Sequence, residues 1–523
     1  MKTTWQDQLH QLLNCDLKTL YPLARSMQRK LYFFVGPTNS GKTYRAMQEL
    51  KSADCGIYLA PLRLLALEGY ETLKKEDIPV SLVTGEEQIF NEDASHVCST
   101  IEMIDFNMDV DVAVIDEIQM LDDVDRGWAW VNAIIGTPAN KIIMTGSVNA
   151  LDAVKKIAEY LGEELEVVRF KRKNELQLLE HQTNLRDLEK GTALIAFSRK
   201  DVLMYKQKLQ KYHKVSVIYG NLSPEVRRDE ARRFRHGESD ILIATDAIAM
   251  GLNLPIKTIL FTTCEKFDGV SRRLISPNEI VQIAGRAGRY GHHEEGFIGA
   301  TSKKTLEHVH ELFKMPIKTI KPPFKVKASS DQIEAIASHL QTKSLTKVLK
   351  FFADNMYFSG PFVAANIGSM ITASLIVDEK FNLKLQDKYM LSQAPMTTKS
   401  PLIKQAYEVY INSVLKNRVV RYKPSITVPK TAKTQKDLLL VEDEVKKISL
   451  YLWLAYKLPE LFPDSIKARM TRDSLNKFIE NSLKNNIKFE NEQTPYNKKK
   501  SESPRKYGQS KGKEFRGKRR RES

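Results

Sequence analysis

Residues 36–43 read GPTNSGKT and match the pattern G-x-x-x-x-G-K-[ST]. The apolar run LYFFV (31–35) precedes them, and a helical pattern follows. In this context the glycines let backbone N–H groups converge on phosphate oxygens, and the helix N-terminus adds its dipole. Lys42 would reach the β- and γ-phosphates, and the Thr43 hydroxyl would bind Mg²⁺. A glycine-rich surface turn is the alternative, but we predict a nucleotide site made of Gly36, Pro37, Thr38, Asn39, Ser40, Gly41, Lys42 and Thr43.

Two adjacent carboxylates supply the groups that a phosphate-binding loop still needs. The segment VDVAVIDEIQ (110–119) is an apolar strand that ends in Asp116 and Glu117. Such a pair is ordinarily surface charge, but at the carboxyl end of a buried strand it faces the ligand edge of the sheet. We predict that Asp116 holds Mg²⁺ through water and that Glu117 polarises the attacking water.

A third constellation lies far downstream, in QIAGRAGRYG (282–291). The preceding residues 276–279 read SPNE, a capping box with Pro at the first helical position. A helix starting there would place Gln282, Arg286 and Arg289, spaced by four and three, on one face. Guanidinium groups on that face can reach a γ-phosphate held by another domain, and such arginine fingers contribute about 10³–10⁵ in rate. The alternative is an Arg/Gly-rich helix that only binds a phosphate backbone.

The elements that would position these residues read as α/β. Short apolar runs alternate with helical patterns, which is typical of parallel strands joined by crossover helices. The runs are LYFFV, GIYLA, VSLVTG, DVAVIDE and KIIMTGS, and then GTALIAF, VSVIYG, DILIATD, IKTILFTTC and GFIGATS. We therefore predict an α/β fold with two tandem parallel-sheet domains, a mainly helical C-terminal region and a basic disordered tail. The predicted bounds are 1–30 for an N-terminal helical segment, 31–165 and 166–325 for the two domains, 326–490 for the helical region and 491–523 for the tail.

Charge and composition narrow the class of protein. The net charge is +17, and residues 498–523 contribute +9 of it from 12 Lys/Arg and 3 Asp/Glu. A phosphate backbone is the matching polyanion, although a tail that only aids solubility is the alternative. The four cysteines form no C-x-x-C pair, so neither disulfides nor a zinc site is expected. No apolar run reaches the length of a membrane helix, so no membrane partner is expected. The first residues lack a signal core and carry Asp7 and Asp16, which favours a bacterial cytoplasm over a mitochondrial matrix.

Several motifs in order resemble those of a superfamily-two DExH helicase. They are GPTNSGKT, APLRLLA (60–66), DEIQ, TGS (145–147), FSRKD (197–201), IATDAIAMGLNL (243–254) and QIAGRAGR. The spelling DEIQM, the wording ATDAIAMGLNL and the later LYLWLAYKLPELFPD (450–464) are similar to the mitochondrial degradosome RNA helicase family, and to its shorter bacterial relatives in particular. The resemblance runs from about residue 30 to about residue 480.

This resemblance implies two RecA-like domains with ATP and Mg²⁺ between them, a single RNA strand across their top, and 3′-to-5′ unwinding of RNA that carries a 3′ overhang. It also suggests RNA turnover with an exoribonuclease partner. Asp246 and Gly251 would lie where nucleotide and RNA signals meet. Carried over residue by residue, the RNA contacts would be Pro61, Arg63, Thr84, Gly85, Thr100, Glu102, Ser198, Arg199, Gly220 and Thr245.

One motif departs from the usual superfamily-two spelling, and two alternative functions remain compatible with the sequence. Many superfamily-two helicases carry Ser-Ala-Thr where this chain has Thr145-Gly146-Ser147, so the hydroxyl that couples hydrolysis to domain opening is not assigned. A nucleic-acid-stimulated ATPase that remodels ribonucleoprotein, or serves as a platform without processive unwinding, would share every catalytic residue named above. A DNA helicase is a further alternative, because backbone contacts distinguish RNA from DNA only through the 2′-OH.

Overall fold

A computed structural model describes residues 13–250, 252, 254–267, 271–288, 295–365, 368–397, 400–426 and 431–485. Within these ranges the chain forms two parallel sheets in tandem, followed by a helical region. The predicted fold class is confirmed. The predicted basic tail, residues 491–523, lies outside the described residues.

The first sheet has the strand order β5-β4-β6-β3-β7-β8-β2-β9, and every pairing is parallel except β4 with β5. Its strands are β2 (Lys30–Val35), β3 (Gly56–Ala60), β4 (Val80–Val83), β5 (Gln88–Ile89), β6 (His96–Thr100), β7 (Val110–Ile115), β8 (Ala139–Gly146) and β9 (Leu165–Arg169). The crossover helices are α2 (Lys42–Lys51), α3 (Arg63–Lys74), α4 (Gly127–Gly136) and α5 (Leu151–Leu161).

Helices cover both faces of this sheet, which explains why central strands such as β3 are buried along their whole length. Successive side chains of a strand point to opposite faces. Phe33 accordingly packs in the core that contains Trp130, while Phe34 packs in a second core with Leu50. Both cores are fully closed to solvent at Phe33, Trp130 and Leu50.

The second sheet is wholly parallel, with the order β10-β17-β14-β11-β13-β12. Its strands are β10 (Leu176–Leu178), β11 (Thr192–Ile195), β12 (Val215–Ile218), β13 (Ile241–Ala244), β14 (Thr258–Phe261) and β17 (Gly296–Ala300). Two further strands, β15 (Glu265–Phe267) and β16 (Arg272–Leu274), form an antiparallel pair outside it. The helices are α6 (Arg199–Leu209), α7 (Pro224–Arg235), α8 (Pro277–Ala284) and α9 (Lys303–Lys314).

The C-terminal region is mainly helical. Its helices are α10 (Ser330–His339), α11 (Leu345–Asn355), α12 (Gly368–Lys380), α13 (Leu385–Ser392), α14 (Pro401–Leu415), α15 (Gln435–Lys457) and α16 (Ser465–Lys484). Three short strands accompany them: β18 (Phe324–Val326), β19 (Tyr357–Phe358) and β20 (Phe362–Ala364). One hydrophobic core joins α14, α15 and α16 to the second sheet, since Tyr407, Leu450 and Phe478 belong to the same cluster as Val217 and Ile243.

Two predicted boundaries differ from the structure. The first sheet continues past residue 165, because β9 pairs with β2 and ends at Arg169. The N-terminal segment is only partly helical: its described part contains α1 (Pro22–Ser26), a 3₁₀ turn (Leu17–Leu20) and strand β1 (Asn14–Cys15). Strand β1 pairs with β19, so this segment is tied to the C-terminal region by backbone hydrogen bonds. In the part of the chain that the structure describes, none of the helices has the length and apolar character to cross a lipid bilayer.

Candidate nucleotide site and RNA-facing edge

The glycine loop follows β2 directly and leads into α2. Gly36 lies so close to the first sheet that a Cβ atom there would be 2.7 Å from the carbonyl oxygen of Phe170. Gly41 has a left-handed backbone (φ 85°), and no atom lies within 4 Å of the position that its Cβ would take. Glycine is therefore required at the first position by contact and at the second by backbone conformation.

The residues of the loop fit a bound polyphosphate. The Lys42 ammonium is buried and donates to the Pro37 carbonyl at 3.1 Å. Burial lowers the pKa of Lys42, while Glu117 and Asp116 oppose this shift. The Ser40 hydroxyl is buried without a hydrogen-bond partner among the described residues. A buried cation and an unsatisfied hydroxyl beside an open glycine are the features that an anion would satisfy.

Asp116, at the carboxyl end of β7, is the buried carboxylate of the site. It accepts hydrogen bonds from the Thr43 hydroxyl at 3.1 Å and from the Tyr58 hydroxyl at 3.0 Å. Burial and the neighbouring Glu117 raise its pKa, and hydrogen bonds from Thr145 and Tyr58 act against this. A divalent cation would favour the ionised form, and the oxygen ligands of Thr43 and Asp116 suit Mg²⁺.

Glu117 occupies a left-handed backbone conformation (φ 55°, ψ 53°), which is uncommon outside glycine. Its carboxylate accepts a hydrogen bond from Gln119, whose Oε1 accepts the Ser147 backbone N–H at 3.1 Å. The Thr145 hydroxyl donates to Asp116, whereas the Ser147 hydroxyl donates to Asn149. Of the two hydroxyls left open by the sequence, Thr145 is therefore the one in contact with the buried carboxylate.

We call the part of the chain around the first sheet the first lobe and the part around the second sheet the second lobe. The second lobe forms the wall that faces the glycine loop, but the predicted continuous helix does not supply it. The capping box at Ser276 is present, yet α8 ends at Ala284 and residues Gly285 and Arg286 form a turn. The prediction of a single helical face for the whole set was wrong, because glycines at 285 and 288, the latter with φ 61°, favour leaving the helix. Arg289 and Gly251 lie outside the described residues, so their predicted roles stay predictions.

Arg286 nevertheless reaches the first lobe. Its guanidinium donates to the Ala249 carbonyl, with the Nε contact at 3.0 Å, and lies 4.0 Å from the Glu117 carboxylate. Burial lowers the pKa of Arg286, and Glu117 and Asp116 oppose this. A narrow cavity of about 10 Å³ separates the walls and is lined by Thr38, Glu117, Gln119, Met120, Ala249, Met250, Gln282 and Arg286. This is room for about one water molecule, so a triphosphate enters only when the lobes separate or these side chains move.

Two contacts that the sequence did not suggest join the lobes beside the glycine loop. The Asn39 amide donates to the Gly285 carbonyl at 2.8 Å. Arg172, in the linker after β9, donates to the carbonyls of Gly285 at 2.7 Å and Thr38 at 3.2 Å, and also to that of Ala287. Burial lowers the pKa of Arg172 to about 10. The loop that would hold phosphate and the turn that carries Arg286 are therefore fastened to one arginine.

Asp246 lies outside the lining of the narrow cavity. Its carboxylate accepts from Lys266 at 2.6 Å, and Lys266 also donates to Glu279 at 2.8 Å. Asp246 begins the 3₁₀ turn Asp246–Ala249, whose last carbonyl receives Arg286. It is connected to the nucleotide wall through this turn and through α8, and not by direct contact with the loop.

The predicted RNA contacts of both lobes lie at the carboxyl ends of strands, the edge of an α/β sheet where ligands bind. In the first lobe, Arg126 donates to both the Pro61 carbonyl and the Glu102 carboxylate at 2.6 Å. The Thr84 hydroxyl closes the turn before β5 through Glu87, and Thr100 ends β6. Gly85 faces Trp453 of α15, since a Cβ atom there would lie 3.7 Å from its ring. The C-terminal helices thus cover part of this edge.

Arg63 is surrounded by carboxylates from two lobes. It pairs with Glu86 at 2.7 Å, with Glu87 at 3.0 Å and with Glu225 of the second lobe at 2.6 Å. Burial lowers its pKa, but the three carboxylates outweigh this effect and raise it. A phosphate contact by Arg63 therefore requires exchange of at least one of these partners.

In the second lobe the predicted contacts differ in accessibility. Ser198 and Thr245 cap a helix and a 3₁₀ turn, and Gly220 is exposed with open space beside it. Arg199 contacts the C-terminal region: it forms an ion pair at 2.9 Å with the buried Glu442 of α15. Glu442 also accepts a hydrogen bond from the Tyr219 hydroxyl. These contacts hold α15 against the second lobe, and the sequence did not predict them.

Family models match three parts of the chain. Residues 18–170 match the DEXQ-box helicase domain of Suv3, residues 174–291 the helicase conserved C-terminal domain, and residues 438–485 the ATP-dependent RNA helicase SUV3 C-terminal domain. The third model covers α15 and α16, the helices that lie over the strand ends.

Full-length relatives agree. The chain is 35% identical over 482 residues to the mitochondrial DExH-box ATP-dependent RNA helicase DExH16 of Arabidopsis thaliana, spanning 90% of this chain and 83% of that protein. It is 34% identical over 504 residues to the mitochondrial ATP-dependent RNA helicase SUV3 of Candida albicans, spanning 89% and 69%. Among solved structures, S. cerevisiae Dbp5 bound to RNA and ADP BeF3 is similar at 17% identity and a TM-score of 0.42, over 61% of this chain and 89% of that chain.

These comparisons correct the predicted location. The short N-terminus favoured a bacterial cytoplasm, but the relatives are mitochondrial proteins by name, which contradicts that prediction. With ordered motifs on two parallel-sheet lobes and matches along most of its length, this chain belongs to the Suv3 family of ATP-dependent RNA helicases.

Proposed function

We propose that this helicase uses ATP hydrolysis in the cleft between its lobes to move 3′-to-5′ along RNA and to unwind it during RNA turnover. The observation that supports this proposal best is the convergence of two walls on one narrow space. Lys42 and Glu117 belong to the first lobe, and Gln282 and Arg286 belong to the second. In this division the boundary between the lobes follows Arg169, where the first sheet ends.

In this proposal each wall has its own task. Bound Mg²⁺, held by Thr43 and Asp116, supplies charge neutralisation at the phosphates. Lys42 and the loop N–H groups bind and orient the phosphates, while Glu117, fixed by Gln119, orients the attacking water. Arg286 stabilises the charge that develops on the transferred group. The Thr145 hydroxyl contacts Asp116, so a change at this carboxylate would shift the end of β8 and the residues after it.

Movement follows from the dependence of lobe closure on the nucleotide. Contacts across the cleft favour the closed state while the γ-phosphate is present, and they are lost after it leaves. Asn39 and Arg172 limit how the lobes can part, since they hold the loop and the turn together. If the strand ends of the two lobes hold RNA unequally in the two states, each cycle advances the strand.

We also propose a substrate and a partner, which go beyond the family assignment. We infer a single-stranded 3′ overhang as the loading site and an exoribonuclease as the consumer of unwound RNA, because the motifs resemble a degradosome helicase. The edge of strand ends, covered by α15 and α16, is where we place the RNA.

The experiment is strand displacement on matched duplexes. RNA with a 3′ overhang, RNA with a 5′ overhang and DNA with a 3′ overhang are each incubated with ATP and Mg²⁺, and ATPase is measured in parallel. The proposal predicts displacement of the 3′-tailed RNA above the other two. RNA-stimulated ATPase without displacement of any duplex would favour ribonucleoprotein remodelling, and equal displacement of DNA would contradict RNA selectivity.

A further inference from the structure

A second cavity lies between the first lobe and the C-terminal helices. It has a volume of about 90 Å³, and its walls come from the β4–β5 turn, from α15 and from the start of α16. The residues that matter here are Thr84, Glu87, Gln88, Leu452, Tyr456 and Arg469. Thr84 is one of the predicted RNA contacts, so the cavity opens on the edge where the strand is expected to pass.

Two of the side chains that line this cavity carry a donor nitrogen that has no acceptor in the described part of the chain. The Nε2 of Gln88 and the Nε of Arg469 are both buried and have no hydrogen-bond partner among the described residues. Leaving a buried donor without an acceptor is unfavourable, so two such donors on the residues of one cavity indicate a ligand or solvent that supplies acceptors. They come from different parts of the chain, β5 and α16, which the fold brings together.

The charges around the cavity are balanced and do not call for an anion. Three carboxylates stand among three guanidinium groups: Glu86, Glu87 and Glu225, and Arg63, Arg469 and Arg472. The carboxylates already accept hydrogen bonds from Arg63, and Glu86 also accepts one from the Ser449 hydroxyl at 2.8 Å. A phosphate would add a negative charge beside these acidic groups, whereas a neutral acceptor would not.

The opposite wall is apolar and aromatic. Leu452, Ala455 and Tyr456 lie about one turn apart on one side of α15, and Tyr456 is 41% exposed. Such a surface suits the face or edge of a heterocyclic ring, and unpaired bases commonly stack on tyrosine. The volume is too small for a whole nucleotide and sufficient for the polar edge of a base.

We propose that this cavity receives the edge of one unpaired RNA base, whose carbonyl oxygen accepts hydrogen bonds from Gln88 and Arg469. The inference rests on the proposed RNA path along the strand ends. Uracil, cytosine and guanine carry an exocyclic carbonyl and adenine does not, so the site discriminates against adenine. The β4–β5 turn and the C-terminal helices thereby read one base of a strand that the rest of the protein holds by its backbone.

The test is an abasic scan of a fluorescein-labelled oligouridylate, with binding measured by anisotropy in the presence of a non-hydrolysable ATP analogue. For wild-type protein, removal of one particular base weakens binding about 5- to 150-fold, as expected for two net hydrogen bonds, while removals elsewhere have smaller effects. Gln88→Leu, which is close in size but lacks the donor, and Arg469→Gln both abolish that position dependence. Oligoadenylate binds wild type more weakly than oligouridylate, and this preference disappears in both variants.

Lys467→Ala is the matched control. Lys467 is an exposed cation on α16, two residues from Arg469, and its removal lowers affinity for all oligonucleotides equally without altering the scan. Thermal unfolding of each variant confirms that it is folded. Retention of the position dependence in both Gln88→Leu and Arg469→Gln overturns the proposal, as does a wild-type scan that is flat.

RNA-stimulated ATPase distinguishes a failure of the proposed function from a failure of the proposed base pocket. RNA-stimulated ATPase at saturating RNA is retained by Lys467→Ala whenever the strand path is correct, because this exposed residue lines neither the nucleotide cleft nor the second cavity. Wild-type protein that shows no RNA-stimulated ATPase would count against the function itself. Normal stimulation together with a flat scan counts only against the base pocket.

Discussion

The Arg286 guanidinium lies 4.0 Å from the Glu117 carboxylate, although the two residues belong to different lobes and are far apart in the chain. Glu117 is held by a left-handed turn at the end of β7, and Arg286 is held by a turn after α8. Neither turn belongs to a regular element, yet each is fixed by neighbours: Gln119 on one side and the Ala249 carbonyl on the other. The cleft thus places an acid and a guanidinium where one terminal phosphate would meet both.

Glu117→Gln should block hydrolysis without blocking nucleotide binding. The amide keeps the shape of the side chain and its place beside Gln119 but cannot polarise water, so kcat should fall by about 10²–10⁴. Single-turnover ATPase and fluorescent-nucleotide titration separate the two effects. Asp122→Asn, which changes an exposed carboxylate after the same strand, is the control and should retain the wild-type rate. Loss of ATP affinity in Glu117→Gln would argue instead for a role in metal or phosphate binding.

Arg286→Ala should reduce RNA-stimulated kcat by about 10³–10⁵, the range found for arginine fingers, with a smaller effect on the KM for ATP. The exposed Arg186 of the second lobe is the control, since Arg186→Ala removes the same charge from the same lobe away from the cleft. An unchanged rate for Arg286→Ala would mean that the second lobe does not take part in catalysis. The same assay on Arg289→Ala tests the other arginine predicted from the sequence.

Arg172→Ala should uncouple the lobes. It removes hydrogen bonds to both the phosphate loop and the turn that carries Arg286, and each bond from a charged donor contributes about 1.5–3 kcal/mol. We expect RNA-stimulated kcat to fall about 10- to 100-fold while RNA affinity without nucleotide stays the same. Lys171→Ala removes an exposed charge one residue away and should behave as wild type. Equal losses in the two variants would reduce the effect to one of linker charge.

Glu279 predicts a pH dependence of stability. Burial opposes its ionisation, but hydrogen bonds from Arg273, Lys266 and the Ser276 backbone outweigh burial and lower its pKa from 4.5 to about 2. A depressed folded-state pKa stabilises the fold above pH 4.5, and this contribution is lost as the pH falls from 4.5 towards 2.

The midpoint of denaturant unfolding should therefore be higher for wild type than for Glu279→Gln above pH 4.5. This difference should shrink as the pH falls from 4.5 towards 2. Glu265→Gln, an exposed site in β15, is the comparison and should show little difference at any pH. A gap between wild type and Glu279→Gln that stays constant on acidification would contradict the assigned cause.

Much of the fold could be predicted because buried parallel strands are apolar along their whole length. All ten predicted runs form strands, among them β2, β7 and β13. The strands that were missed are short or carry polar residues. Strands β1, β5, β10, β18, β19 and β20 have two or three residues each, β6 (HVCST) and β9 (LEVVR) mix apolar with polar or charged residues, and β15 and β16 carry charged residues. Their pairing depends on neighbours distant in sequence, which a local pattern does not contain.

The candidate nucleotide site likewise contains residues that a local sequence pattern identifies and contacts that no local pattern identifies. Phosphate-loop and carboxylate residues were predicted because their spacing within one segment determines their geometry. The contact of Asn39 with Gly285 and the roles of Arg172 and Gln119 were not, because these hydrogen bonds to distant groups match no sequence spacing. The end of α8 at Ala284 was missed since the period of four and three continued through glycines that favour leaving the helix. Pairing of Arg199 with Glu442 required knowledge of where α15 packs.

A structure of the protein with single-stranded RNA and an ATP ground-state analogue would show whether both lobes act on the nucleotide. We expect the terminal phosphate to be contacted by Lys42 from the first lobe and by Arg286 from the second, with Arg286 released from the Ala249 carbonyl. A terminal phosphate contacted by the first lobe alone, with Arg286 still bound to Ala249, would contradict this expectation.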